Sequence, residues 1–203
     1  MRLPVIVSIV AGILFFLFTA GCTGIPHDQT APSPEEQTSS VHFPLSESTA
    51  TTFILHAAGV SRDGTLPPDY TCSAGMPESP PVSWENVPDG TKTLALIVDD
   101  PDAPSGRFTH WIVYNIPADR ASIPEGVGAA KEIDGGGQQG TNSADQRGYY
   151  PACPQIGSRH RYVFTLYAID YTMGLPIADR DVIDSMLVGH TIEKTVVTTY
   201  YQR

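Results

Sequence analysis

At 203 residues the chain has room for one ordinary domain and a tail. It is acidic, with 22 Asp+Glu against 12 Lys+Arg and a formal net charge of −10. No cluster of cations is present to neutralise phosphates, which argues against nucleic-acid binding and against an electrostatic hold on an anionic membrane surface.

The N-terminus sets the compartment. Met1 and Arg2 make a short positive start, and the apolar run Val5 to Phe18 is shorter than a comfortable membrane span. It ends in Thr19-Ala20-Gly21-Cys22, which resembles the lipobox of prokaryotic lipoproteins. Residues 1–21 are therefore expected to be a signal peptide, with the lipid carried on Cys22. An uncleaved N-terminal anchor is the alternative, and either arrangement puts the rest of the chain outside the cytoplasm. Residues 22–45, rich in Pro, Ser, Thr and Glu, cannot bury enough surface to fold and predict a flexible tether. A single domain is expected over 46–203. Cys72 and Cys153 remain once Cys22 is modified; an oxidising compartment permits a bridge between them, and two separate buried thiols fit the sequence equally well.

From Thr51 onward short apolar runs alternate with Gly/Pro clusters, the texture of a mainly β domain. The pattern predicts strands at Thr52–Ala57, Thr93–Val98, Phe108–Ile116, Tyr162–Ile169 and Thr191–Tyr201. Val182-Ile183 and Met186-Leu187 recur at helical spacing and predict a short helix over 179–188, closed by Gly189. The long glycine-rich segment from Gly135 to Gly157 is of a kind that more often serves function than connection. Its Gly135-Gly136-Gly137-Gln138-Gln139-Gly140 lacks the Lys-Ser/Thr of a phosphate-binding loop and predicts flexibility instead.

Three places concentrate chemistry. Asp99-Asp100-Pro101-Asp102-Ala103-Pro104 is a stiff turn at a strand end, able either to hold a carboxylate in position or merely to cap itself. In the strand after it, alternation groups His110 with Ile112 and Tyr114, and Trp111 with Val113 and Asn115. His160, Tyr162, Phe164 and Leu166 share a face of a later strand, so an imidazole and a phenol stand above an apolar floor. Two imidazoles, a carboxylate and a phenol at strand ends suit a small anionic group.

Pro67-Pro68-Asp69-Tyr70-Thr71-Cys72, Ser79-Pro80-Pro81-Val82-Ser83-Trp84, the Asp-Pro-Asp-Ala-Pro turn with His110-Trp111, Tyr149 to Pro154 with His160-Arg161-Tyr162, and the ending from Gly189 to Arg203 occur in one order. Together they resemble the phosphatidylethanolamine-binding protein family, in particular its prokaryotic Raf kinase inhibitor-like branch, from about Phe53 to the C-terminus. The resemblance implies a mainly β, Greek-key β-sandwich with short peripheral helices and a pocket for phosphate-like or carboxylate-like anions. By position it implies Asp100, Pro101, His110, Pro151, His160 and Tyr162 as the ligand-binding set. Two departures stand out: Cys72-Ser73-Ala74-Gly75 replaces the family's Cys-Asp-Gly, and Gly148-Tyr149-Tyr150-Pro151-Ala152-Cys153 stands where relatives usually place Gly-Tyr-Gly-Gly-Pro-Cys.

The implied function is binding of a small anion or phospholipid headgroup by a lipid-anchored protein with no cofactor, and ligand-gated inhibition of a protein target is a further expectation. A hydrolase using His110 or His160 as base, oriented by Asp100, is the alternative, although no nucleophile elbow or zinc-protease motif occurs. A metal site from His110, His160 and Asp100 has suitable ligand types but no supporting spacing.

Overall fold

The apolar runs pair into two antiparallel sheets in the computed structural model, which describes residues 51–57, 60, 64–174 and 178–203. The expected signal segment, Cys22 and the 22–45 tether lie outside these residues. In chain order the strands are β1 (Ile54–Ala57), β2 (Val82–Glu85), β3 (Thr93–Asp100), β4 (Phe108–Pro117), β5 (Ser122–Ile123), β6 (Gln138–Gln139), β7 (Arg159–Ile169) and β8 (Thr191–Gln202). A turn of 3₁₀ helix at Pro68–Tyr70 and one α-helix, α1 (Arg180–Leu187), complete the described elements. The small sheet runs β1-β2-β5 and the large one β6-β4-β3-β7-β8.

β3 lies at the centre of the large sheet, flanked by β4 and β7. Its run Leu94–Val98 is buried at every position because both faces of the sheet are covered. One face packs Leu94, Leu96 and Val98 against Leu55, Val82 and Trp84 of the small sheet. The other packs Ala95 and Ile97 against Ile183 and Leu187 of α1. The helix begins where Asp179 accepts a hydrogen bond from the Val182 amide at 2.9 Å, and Gly189 takes a positive φ of 78° just past its end. Both features match the expected 179–188 to within a residue.

β7 begins at Arg159, three residues before the expected start, because its first residues pair with the end of β8, Arg159 facing Gln202. β2, β5 and β6 were not expected as strands; at two to four residues each they are too short for periodicity to register. The glycine-rich segment is packed rather than loose. A Cβ on Gly140 would stand 2.4 Å from the Ala178 carbonyl oxygen, so only glycine fits between β4 and the chain leading into α1. Gln139 is buried beside it, accepting from the Trp111 indole at 2.7 Å and donating to the Gly128 and Ala130 carbonyls.

Cys72 and Cys153 form a disulfide, with Cα atoms 5.3 Å apart and a separation of 81 positions in sequence. It joins the segment after the 3₁₀ turn to the loop before β7. Those segments also share backbone bonds, Cys72 N–H to Ala152 O at 3.0 Å and Ala152 N–H to Tyr70 O at 3.3 Å. Closing so long a loop is expected to stabilise the fold by about 4 kcal/mol. Replacing both cysteines with alanine should lower the unfolding free energy by that order in urea titrations, and an unchanged midpoint would count against this role.

Candidate functional site

Successive residues at the end of β3 point to opposite faces of the sheet. Asp99 turns toward α1, where it accepts from the Thr109 hydroxyl at 2.6 Å and pairs with Arg180 at 3.2 Å. Asp100 turns to the other face and is 4 % exposed. One of its oxygens accepts the Asp102 amide at 2.8 Å, closing the stiff turn, and the other lies 2.7 Å from His160 Nδ1. The carboxylate both caps its turn and orients an imidazole. Asp102 in turn accepts from the Arg161 backbone and guanidinium at 2.6–2.9 Å, and those bonds hold its carboxyl down to about 2. The acidic turn is thus tied twice to the start of β7.

Simple alternation fails for His110. Val98 faces Trp111 while Asp99 faces Thr109, so one step along β3 spans two along β4. The extra residue is a β-bulge at His110, which swings the imidazole away from Ile112 and Tyr114 and onto the side of Tyr162. The two rings meet edge-on with centroids 5.2 Å apart. A second shift, between Leu94 and Leu96, falls at Asn115, whose φ is 54°. Its amide bonds the Met173 backbone on the helix side, not the side of Trp111 and Val113.

His110 Nδ1 lies 2.7 Å from the Tyr150 carbonyl, which can only accept, so Nδ1 carries the proton. Burial pushes this imidazole below its ordinary pKa, and the neutral ring leaves a lone pair on Nε2. That Nε2 and the Tyr162 hydroxyl are buried without a hydrogen-bond partner among the described residues. Burial raises the Tyr162 phenol well above its usual range, so it keeps its proton. Each such orphan costs about 1–3 kcal/mol, and native folds tolerate few of them.

His110, Asp100 and His160 border a cavity of about 350 Å³ between the acidic turn, the start of β4, the loop before β7 and the start of β7. Asp100, His110, Pro151 and His160 line it; Pro101 and Tyr162 do not. Pro101 sits exposed in the turn, and Tyr162 stands behind His110. The expected set is therefore four lining residues, one residue behind them and one outside. Sequence reasoning passed over Phe108 as a lining residue, although it stands two positions before His110 and alternation puts both on one face. Ser73, in place of an acid, lies 2.5 Å from the Tyr201 hydroxyl. Among the described residues no three of His, Cys, Asp and Glu converge to hold a metal.

The family model for phosphatidylethanolamine-binding protein matches residues 57–202. A UPF0098 protein of Methanothermobacter thermautotrophicus is 42% identical over 141 residues, 69% of this chain and 92% of that protein. A Mycobacterium tuberculosis protein that carries a lipoprotein name, LppC, is 32% identical over 168 residues, 82% of this chain and 80% of its own. Among solved structures, a phosphatidylethanolamine-binding protein homologue from Chlamydia trachomatis, CT736, superposes with a TM-score of 0.67 at 32% identity, covering 74% of this chain and 97% of its own. Escherichia coli YbcL, described as a member of the mammalian family, gives a TM-score of 0.64 at 29% identity over 74% of this chain and 98% of its own.

The buried His110 makes stability depend on pH. Its folded pKa lies below the unfolded value of about 6.5, so on acidification the unfolded chain takes up a proton that the folded chain refuses. Stability falls as pH drops through this window, by up to about 1.4 kcal/mol per pH unit. His110→Gln should flatten that dependence between pH 7 and 5 in denaturant titrations; parallel curves for the two proteins would mean the ring is not held neutral.

Proposed function

This chain belongs to the phosphatidylethanolamine-binding protein family, and from that premise we propose that its cavity binds the anionic group of a small ligand, a phosphate- or carboxylate-like headgroup. The observation that carries this reading is the pair of imidazoles, fifty positions apart in sequence, that line one hollow with each Nδ1 already committed. His160 Nε2 is then the ring nitrogen left to meet an anionic oxygen, whereas the buried, unprotonated His110 Nε2 can only accept a proton that the ligand itself carries. Once His160 is protonated, its Nε2–H donates to an anionic oxygen, while Asp100 on the far side of the ring balances the charge. Asp100 does not compete for the ligand's place, since one oxygen accepts an amide and the other the imidazole.

The same Asp100–His160 bond favours a second reading, hydrolysis with His160 as general base. His110 is the weaker candidate for that role, because Asp100 orients the other ring. Inorganic phosphate or phosphoethanolamine well above its dissociation constant should raise the melting temperature by roughly 5 °C or more, and His160→Ala should abolish the shift. Turnover of simple esters or phosphoesters, lost in His160→Ala, would replace binding by hydrolysis as the function.

We also propose that the domain is held at the outer face of the cell membrane by lipid on Cys22 alone. The lipobox-like Thr19-Ala20-Gly21-Cys22 supports this, as does the LppC match, which extends over a longer stretch than residues 57–202. Its acidic surface offers no second signal to anionic headgroups. Expressed in a bacterium, the full chain should partition with membranes and incorporate labelled fatty acid, and Cys22→Ser should abolish both; labelling that persists in the variant would refute the anchor.

A further inference from the structure

We propose that Phe108 and Tyr150 make the pocket selective for anions that bear a flat apolar substituent, such as aryl phosphonates, over bare inorganic anions. The inference rests on the anion-binding reading of the cavity and adds the chemistry of the ligand's other end.

The hollow is amphipathic by construction. His110, His160 and Asp100 supply its ionisable groups and Ser105 and Gln155 add neutral polar ones, whereas Phe108, Tyr150, Pro104 and Pro154 make apolar wall. At about 350 Å³ it falls in the range that accepts organic ligands, and a bare tetrahedral anion at the imidazoles leaves the wall uncovered. The Phe108 ring lies 4.7 Å from the His110 ring and 5.5 Å from the Tyr150 ring, centroid to centroid. Tyr150 and His110 are themselves 6.2 Å apart. The aromatic wall therefore begins directly beside the imidazole, so a ring bonded to the charged group, not one on a long spacer, reaches both.

Tyr150 is held at this wall by its own backbone. Its N–H donates to the His110 carbonyl at 2.8 Å, and its carbonyl accepts from His110 Nδ1 at 2.7 Å. Pro151 follows and restricts it further, and the next loop residues carry the Cys153 disulfide. A wall fixed by main-chain bonds is in place before a ligand arrives, which lowers the entropic cost of stacking against it. The neighbouring Tyr149 takes no part: it is turned inward, edge-on to Trp111, with its hydroxyl donating to the Tyr70 carbonyl at 2.7 Å.

The test is a calorimetric ladder of inorganic phosphate, methylphosphonate and phenylphosphonate on the wild-type chain, Tyr150→Ala and Tyr150→Phe. Phenylphosphonate should bind the wild type about tenfold or more tighter than methylphosphonate. Tyr150→Ala should reduce that ratio to about threefold or less, and Tyr150→Phe should keep the ratio. Should Tyr150→Ala fail to fold, the wild-type ratio and Phe108→Leu decide the matter. Equal affinity of the two phosphonates for the wild type, or a ratio that survives loss of the ring, overturns the aromatic selectivity and leaves anion binding standing. Absence of binding by all three anions overturns the anion reading and this inference with it.

Discussion

The pocket exists because β3 and β7 part company at their ends, and the Asp100–His160 hydrogen bond spans the gap. Main-chain pairing between these strands stops at Asp99 and Val163, while β7 continues back to Arg159 paired only with β8. Beyond that point side chains replace the ladder: Asp100 to His160 at 2.7 Å, and Asp102 to Arg161 in a fork. A sheet that zipped to its end would have no hollow, and one that splayed without these bonds would leave a buried carboxylate unpaired. The prolines at 101 and 104 keep the turn from extending the ladder, since neither offers an N–H and both fix φ. The opening is thus set by where hydrogen-bonding capacity was withdrawn from the backbone and returned through carboxylates.

The three aspartates of the turn divide the work by parity. Asp99, one residue from Asp100, faces the opposite side and holds Arg180 on α1, where Arg180 also contacts Asp184. Asp102 lies half in solvent, and its fork with Arg161 is of the exposed kind that contributes little to stability by itself. Its value is positional, because it fixes the residue next to His160. Asp100 alone is buried on the cavity side, and both of its oxygens have donors. A charged group at such depth is tolerated only when it is satisfied in this way.

Much of this was legible in the sequence, and the limits are instructive. Alternation along β7 correctly put His160, Tyr162, Phe164 and Leu166 on one face, since that strand pairs with β8 without interruption from Arg159 to Ala168. The same rule misplaced His110 and Asn115 on β4, because a bulge adds a residue to one strand and nothing in composition announces it. Tyr162 shares its face with His160 yet does not reach the cavity, as the bulged His110 stands in front of it. Pro101, which the resemblance implies for the pocket, is exposed and serves to stiffen the turn. The glycine-rich segment read as flexible because close approach to Ala178 and Pro117 is a tertiary fact, invisible along the chain.

The two imidazoles end up chemically unlike for reasons that lie behind each ring rather than in front. His160 is backed by a carboxylate, an acceptor that carries charge, and it sits where the strands diverge. His110 is backed by the Tyr150 carbonyl, an acceptor without charge, and burial keeps its ring neutral. Both partners fix the same tautomer, so each ring offers Nε2, but one is suited to donate once protonated and the other to accept. The bulge is what makes this asymmetry possible. Without it His110 would face α1 with Ile112 and Tyr114, and the hollow would hold a single imidazole with no second ring to define a direction. One inserted residue in β4 therefore does more to create a two-ended site than any single side chain that lines it.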